Sequence, residues 1–209
     1  MKTIRILLAA LTALCLLAGC GGDGLVALQY KDGRMTSGTL AYLPASATYE
    51  PTAVGAPYAY YKRADLTLYA IGDEDPTLWL TEAYAGGATT IFHAESSTLP
   101  TWETLAPERM LVCASDVVTF CVLEVADADV IAAVLGAFLG GEAAERPTER
   151  SALDYELKFA SSAWPQFYMN LIYAEYADGR VFLTERATRR TVEIGDLLAP
   201  VLHPDETDA

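Results

Sequence analysis

ADLTLYAI at residues 64–71, TLWLTEAY at 77–84 and ATTIFHAE at 88–95 form the stretch of sequence that decides the fold. Each segment is rich in β-branched, aromatic and aliphatic residues. Turn-forming residues separate them: GDEDP follows the first segment, and Gly86-Gly87 precedes the third. Segments of this length and composition, joined by short turns, predict a three-stranded antiparallel meander.

A similar arrangement follows in the second half of the chain. LDYELKFA at 153–160 and QFYMNLIYAEY at 166–176 predict strands, and Asp178-Gly179 between apolar runs is a strong hairpin signal. Several residues of the two halves also match at a nearly constant offset. We therefore consider an internal duplication of residues 64–107 and 153–200, against the alternative that an Ala- and Leu-rich chain produces such matches by chance.

The region between these halves predicts a hairpin and a helix. RMLVCA at 109–114 and VVTFCVLEV at 117–125 are the hairpin strands, and DADVIAAVLGAFLGG at 127–141 has helical apolar spacing after an Asp127 cap. Residues 36–57, which are rich in Thr, Ser, Ala, Gly and Pro, predict an ordered loop or linker. The sequence therefore predicts an α+β fold of antiparallel meander sheets with short helices.

The N-terminus has the layout of an export signal. Lys2 and Arg5 precede an apolar run over 6–17, which ends at the sequence Leu17-Ala18-Gly19-Cys20. This junction resembles the lipobox of bacterial lipoproteins. The resemblance implies a diacylglycerol thioether on Cys20, cleavage before that residue, and anchoring by acyl chains such as palmitate to the extracytoplasmic face of the cell membrane. An ordinary secretory signal with an incidental Cys20 is the alternative.

This interpretation divides the chain into four parts. Residues 1–19 are the signal peptide, 20–24 a lipidated tether, 25–63 an N-terminal strand with a Pro-, Ser- and Ala-rich loop, and 64–209 a domain of two related meander units.

The charge of the exported part excludes some partners. The signal peptide carries two of the 14 basic residues and none of the 28 acidic ones, so its removal leaves a formal charge of −16. Nucleic acid and anionic lipid surfaces would repel such a chain. The predicted membrane attachment therefore depends on the lipid at Cys20, and no nucleic-acid partner is expected.

The sequence points to no catalytic residue, cofactor or metal. It lacks the G-x-S-x-G, HExxH, phosphate-loop and dinucleotide motifs, and after the signal it offers two histidines, His93 in a predicted strand and His203 in a tail expected to fray. The acidic groups at Asp73-Glu74-Asp75 and at Asp127 with Asp129 lack the spacing of a calcium loop. We interpret them as a solvated turn and a helix start.

Cys113 and Cys121 are the two thiols left after lipidation of Cys20. They lie symmetrically about the predicted turn of the hairpin, so an odd loop would place them opposite each other. Export makes a disulfide between them chemically feasible. The alternative is that both are free core cysteines, because each lies in a strongly apolar strand.

These observations favour a lipid-anchored binding or scaffolding module whose protein or small-molecule partner is unknown, with no catalysis. An exposed strand edge or the cleft between the two meanders would offer the contact surface. One alternative is a cell-envelope hydrolase with two converging carboxylates. Another is a small solute-binding receptor, although few βαβ signals are present.

Overall fold

The computed structural model describes residues 24–83, 89–115 and 119–203, and their secondary structure is mostly β. The chain divides into two compact units. Of the described residues, the first unit contains 24–44, 54–83 and 92–97, and the second contains 45–53, 89–91, 98–115 and 119–203.

In chain order, the strands are β1 (Val26–Ala27), β2 (Gln29–Lys31), β3 (Arg34–Ser37), β4 (Leu40–Pro44), β5 (Tyr49–Pro51), β6 (Val54–Tyr61), β7 (Leu66–Ile71), β8 (Trp79–Glu82), β9 (Ile91–Ala94), β10 (Arg109–Ser115), β11 (Thr119–Val125), β12 (Leu153–Ala160), β13 (Phe167–Glu175), β14 (Val181–Thr184) and β15 (Thr191–Glu193). The α-helices are α1 (Ala128–Gly140) and α2 (Ala199–Leu202).

The first unit is built on an eight-stranded sheet with the order β1-β6-β7-β8-β9-β4-β3-β2. The segments of the predicted meander are neighbours in it as β7, β8 and β9, and β7 pairs antiparallel with β8. The two ends of the sheet, β1 and β2, are separated in the chain only by Leu28, so the sheet curves until it nearly closes on itself. Its interior is apolar and is lined by Leu28, Met35, Tyr42, Ala59, Leu68, Leu80 and Phe92.

The second unit is built on a sheet with the order β11-β10-β12-β13-β14-β15, to which β5 is added. Strand β13 is long enough for two partners along one edge: β14 pairs with residues 172–175 and β5 with residues 167–169. The predicted Asp178-Gly179 hairpin is confirmed between β13 and β14. Gly179 has φ of +85°, which a glycine adopts without a Cβ penalty.

The predicted helix at 127–141 is confirmed as α1. The Asp127 carboxylate accepts hydrogen bonds from the backbone N–H groups of Asp129 and Val130, an N-cap that contributes about 1 kcal/mol. The buried side of α1 joins the apolar core of the second unit through Ile131, Val134, Leu135 and Phe138. Within the described ranges, no helix has both the length and the apolar character needed to cross a membrane.

The α+β prediction is wrong, because strands dominate both units. Apart from α1, the described residues contain only the single α-helical turn of α2 and one 3-10 turn at Lys62–Ala64 within the folded units. Residues 36–57, which were expected to be a loop or linker, instead include the strands β4 and β5 and parts of β3 and β6.

Proline position explains the error over residues 36–57. Pro44 is the last residue of β4 and Pro51 the last of β5, while Pro57 lies where the register between β6 and β7 shifts. Strand ends and bulges are the places where a sheet accommodates a residue without an N–H. These prolines therefore mark irregularities within strands, whereas their spacing in the sequence favours a loop.

The two predicted repeat copies are distributed differently between the two compact units. Except for Ile91, the strands of 64–107 lie in the first unit, and residues 98–107 lie in the second. Residues 153–200 lie entirely in the second unit. The duplication itself stays a prediction.

Candidate functional site

Strand β11 forms an edge of the second sheet and has exposed apolar side chains. In the described part of the chain it pairs with β10 alone. Phe120 is 51% exposed and Val122 46% exposed, and residues 119–123 (TFCVL) carry no charge. Edge strands usually carry lysine, proline or inward charges that prevent pairing with another chain. The central part of β11 has no such residue, so its outer edge is suited to pairing with another strand.

Cys113 and Cys121 lie opposite each other across β10 and β11, as the sequence spacing predicted. The register shifts between Val112 and Cys113: Val112 pairs with Leu123, and Cys113 then pairs with Cys121. Val122 is the extra residue of this bulge. Cys113 is buried, Cys121 is exposed, and both thiols are free in the structure. The disulfide itself stays a prediction.

A largely buried ionic cluster occupies the sheet face opposite α1. It consists of Glu50, Glu156, Lys158, Asn170 and Arg186. The Lys158 ammonium lies 2.5 Å from Glu50 Oε1 and 3.6 Å from Glu156 Oε2, and Arg186 Nη1 lies 3.0 Å from Glu156 Oε1. Asn170 Nδ2 donates a hydrogen bond of 2.8 Å to Glu50 Oε2. The cluster thus balances two carboxylates against two cations.

Neighbouring side chains stabilise the charged form of Lys158. Burial by itself would lower the pKa of Lys158, but the hydrogen bond to Glu50 and the negative charges of Glu50 and Glu156 outweigh burial and raise the pKa. The hydrolase alternative needs two carboxyl groups with different protonation states facing a substrate. In this cluster Lys158 lies between the carboxylates, an arrangement typical of a structural ion cluster.

No family model, curated protein or solved structure matches this chain. Its functional assignment therefore depends on the residues of the chain itself.

Glu185 is a second buried carboxylate, and three side chains donate to it. Thr48 Oγ1 and Trp102 Nε1 each lie 2.9 Å from Glu185 Oε1, and Thr188 Oγ1 lies 2.5 Å from Oε2. The indole of Trp102 also makes an edge-to-face contact with Phe138, at 5.7 Å between ring centres. These contacts fix Trp102 within the core of the second unit, where its fluorescence reports on packing.

His93 has a structural environment. Its Nδ1 lies 3.1 Å from the Ala94 carbonyl oxygen and 3.2 Å from Ser97 Oγ, and its ring lies 6.3 Å from that of Trp79. The Ser97 hydroxyl donates to the Ala94 carbonyl at 2.8 Å. The Ser97 hydroxyl thus donates to a backbone carbonyl, whereas a nucleophile and its base require the hydroxyl to donate to the imidazole.

His203, which was expected to belong to a fraying tail, is held by a side-chain contact, while residues 204–209 of that tail lie outside the described residues. His203 Nε2 lies 2.9 Å from Glu175 Oε1, and the Tyr173 hydroxyl donates to the same oxygen. Burial and the contact with Glu175 raise the pKa of Tyr173 above its ordinary value. These contacts tie the end of α2 to β13.

The two acidic groups have local roles. Asp75 Oδ1 accepts hydrogen bonds from the side chain and backbone N–H of Thr77, which lower the pKa of Asp75, and Asp127 caps α1. Across residues 24–83, 89–115 and 119–203, no group of three or more His, Cys, Asp or Glu residues is arranged to hold a metal ion. Cys20 lies outside these residues, so its lipidation stays a prediction.

Proposed function

We propose that this chain is a lipid-anchored extracytoplasmic binding module whose partner adds an extended strand to the free edge of β11. The observation that carries the proposal is the uncharged, partly apolar edge at residues 119–123, with Phe120 and Val122 about half exposed. In strand addition, backbone hydrogen bonds provide affinity and alternate side chains provide specificity.

Charge favours one kind of partner. The exported chain carries a formal charge of −16, and β11 is followed by the exposed Asp127 and Asp129. Glu124, within β11, is already paired with Arg109 at 3.3 Å. A second copy of the same acidic chain would be repelled, whereas an apolar segment flanked by Lys or Arg would be attracted. The proposed partner is therefore an extended protein segment with basic flanks.

We expect the full chain, purified in detergent, to bind a fluorescent peptide of alternating Val and Thr with a Lys at each end. Fluorescence anisotropy measures the binding. The same peptide with alternate backbone nitrogens methylated lacks the N–H donors that pair with a strand edge. A peptide with Glu in place of each terminal Lys is repelled by the acidic chain. Each of these two peptides should bind at least about tenfold more weakly. Equal binding of the methylated peptide would contradict strand addition.

A pair of matched double variants locates the site. Phe120→Lys/Val122→Lys places charges on the β11 edge and should abolish binding of the Lys-flanked peptide. Val54→Lys/Leu78→Lys adds the same charge at exposed apolar residues of the first unit and should leave binding unchanged. If the two double variants lose affinity equally, the peptide recognises net charge and the proposal fails. Sedimentation of the unmodified chain as a dimer would assign the edge to a second copy.

The anchor is tested separately. Metabolic labelling with a palmitate analogue should label the full chain, and Cys20→Ala should remove the label, since Cys20 is the residue that would carry the acyl chains. Cys15→Ala is the matched control and should keep the label, because Cys15 lies in the predicted signal peptide. Label that persists in Cys20→Ala would rule out this anchor.

A further inference from the structure

The two cysteines are paired in the hairpin of β10 and β11, directly beside a β-bulge. Cys113 pairs with Cys121 in the same uninterrupted register as Ser115 with Thr119. The register shifts on the other side of the cysteines, between Val112 and Cys113. Residues paired directly across antiparallel strands project to the same face, with Cα atoms about 4.5–5.5 Å apart, within the range that a disulfide spans.

The two thiols differ in accessibility. Cys121 is exposed, whereas Cys113 is only 4% exposed. Burial raises the pKa of Cys113 to about 11, although the nearby Lys158 ammonium acts in the opposite direction. The thiolate is the attacking species in disulfide exchange. An external disulfide therefore reacts first with the exposed Cys121, and the buried, less readily ionised Cys113 reacts second, within the hairpin.

We propose that Cys113 and Cys121 are a built-in site of thiol–disulfide exchange, which closes a cross-strand disulfide and fixes the bulged edge of β11. The oxidant is a disulfide donor. The Cys121 thiolate attacks one donor sulfur, which forms a mixed disulfide and releases the first donor thiol. The Cys113 thiolate then attacks the Cys121 sulfur and releases the second. Two protein S–H bonds are replaced by one S–S bond, and the donor is reduced to two thiols.

The bond can form whether or not β11 binds a partner, so this inference goes beyond the proposed function. The bond prevents β11 from separating from β10 and holds the outer edge of β11 in one conformation.

The test uses the full chain with oxidised glutathione as the disulfide donor. Trypsin releases residues 110–150 as one peptide, because Pro147 follows Arg146, and this peptide contains Cys113 and Cys121 as its two cysteines. We expect its mass to fall by two hydrogens after oxidation and to return after reduction. Oxidation should also raise Tm by about 5–10 °C, since closing even this short loop removes conformational entropy from the unfolded chain.

Two variants test the order of attack. Cys113→Ser should accumulate glutathione on Cys121, because the resolving thiol is missing. Cys121→Ser should leave Cys113 unmodified over the same period. A stable glutathione adduct on the unmodified chain, or a covalent dimer through Cys121, would overturn the proposal. If Cys113→Ser fails to fold, the peptide mass of the unmodified chain still decides it.

Discussion

Phe138→Ala is expected to lower the free energy of unfolding of the second unit by about 3–5 kcal/mol, the largest loss we predict for a single change. Phe138 is 1% exposed in α1, its ring contacts Trp102 edge to face, and the Arg190 guanidinium lies 4.9 Å from its centre. Truncation removes the buried ring and leaves a cavity beneath α1. Urea unfolding followed by far-ultraviolet circular dichroism measures the loss.

A phenylalanine on the sheet of the same unit provides the control. Phe120 is about half exposed on β11, so Phe120→Ala should change the free energy of unfolding by no more than about 0.5 kcal/mol. Comparable losses for the two variants would mean that α1 does not cover the main core.

Lys158→Met is expected to cost about 3 kcal/mol, because Glu50 and Glu156 would lose the cation they share. The size of the loss depends on pH. The pKa of Lys158 is raised in the folded chain, so its contribution is fully present below the unfolded pKa, about 10.4, and is lost as pH rises through the folded value. The difference in free energy of unfolding between the unmodified chain and Lys158→Met should therefore shrink as the pH rises above about 10.4.

The double variant Glu50→Gln/Lys158→Met separates charge from packing. If the loss comes from an uncompensated Glu50 carboxylate, the double variant should be more stable than the sum of the two single changes predicts. Additive losses in urea unfolding would show that Glu50 and Lys158 are not coupled.

The parts of the fold that were predictable are those encoded by neighbouring residues. Asp127 and the apolar spacing after it identify α1, Asp178-Gly179 identifies the β13–β14 hairpin, and the spacing of Cys113 and Cys121 identifies their register. Each of these signals lies within one element or one hairpin, where local geometry decides the outcome.

The parts that could not be predicted depend on residues far apart in the chain. In LDYELKFA, Glu156 and Lys158 alternate with apolar residues, a pattern typical of a face exposed to solvent. Both are instead buried, and Glu50, which neutralises Lys158, lies on β5 more than one hundred residues earlier. The free edge of β11 was expected only in general terms, since no local signal says which strand ends a sheet.

The position of β5 has a consequence for the order of folding. Its residues are made early and lie between two segments of the first unit, yet β5 pairs with β13 in the second. A ribosome releases the N-terminal part first, so residues 45–53 must wait unpaired until residue 169 has emerged. The second sheet therefore cannot be completed piece by piece during synthesis, and any pause before β13 prolongs the time during which Glu50 lacks Lys158.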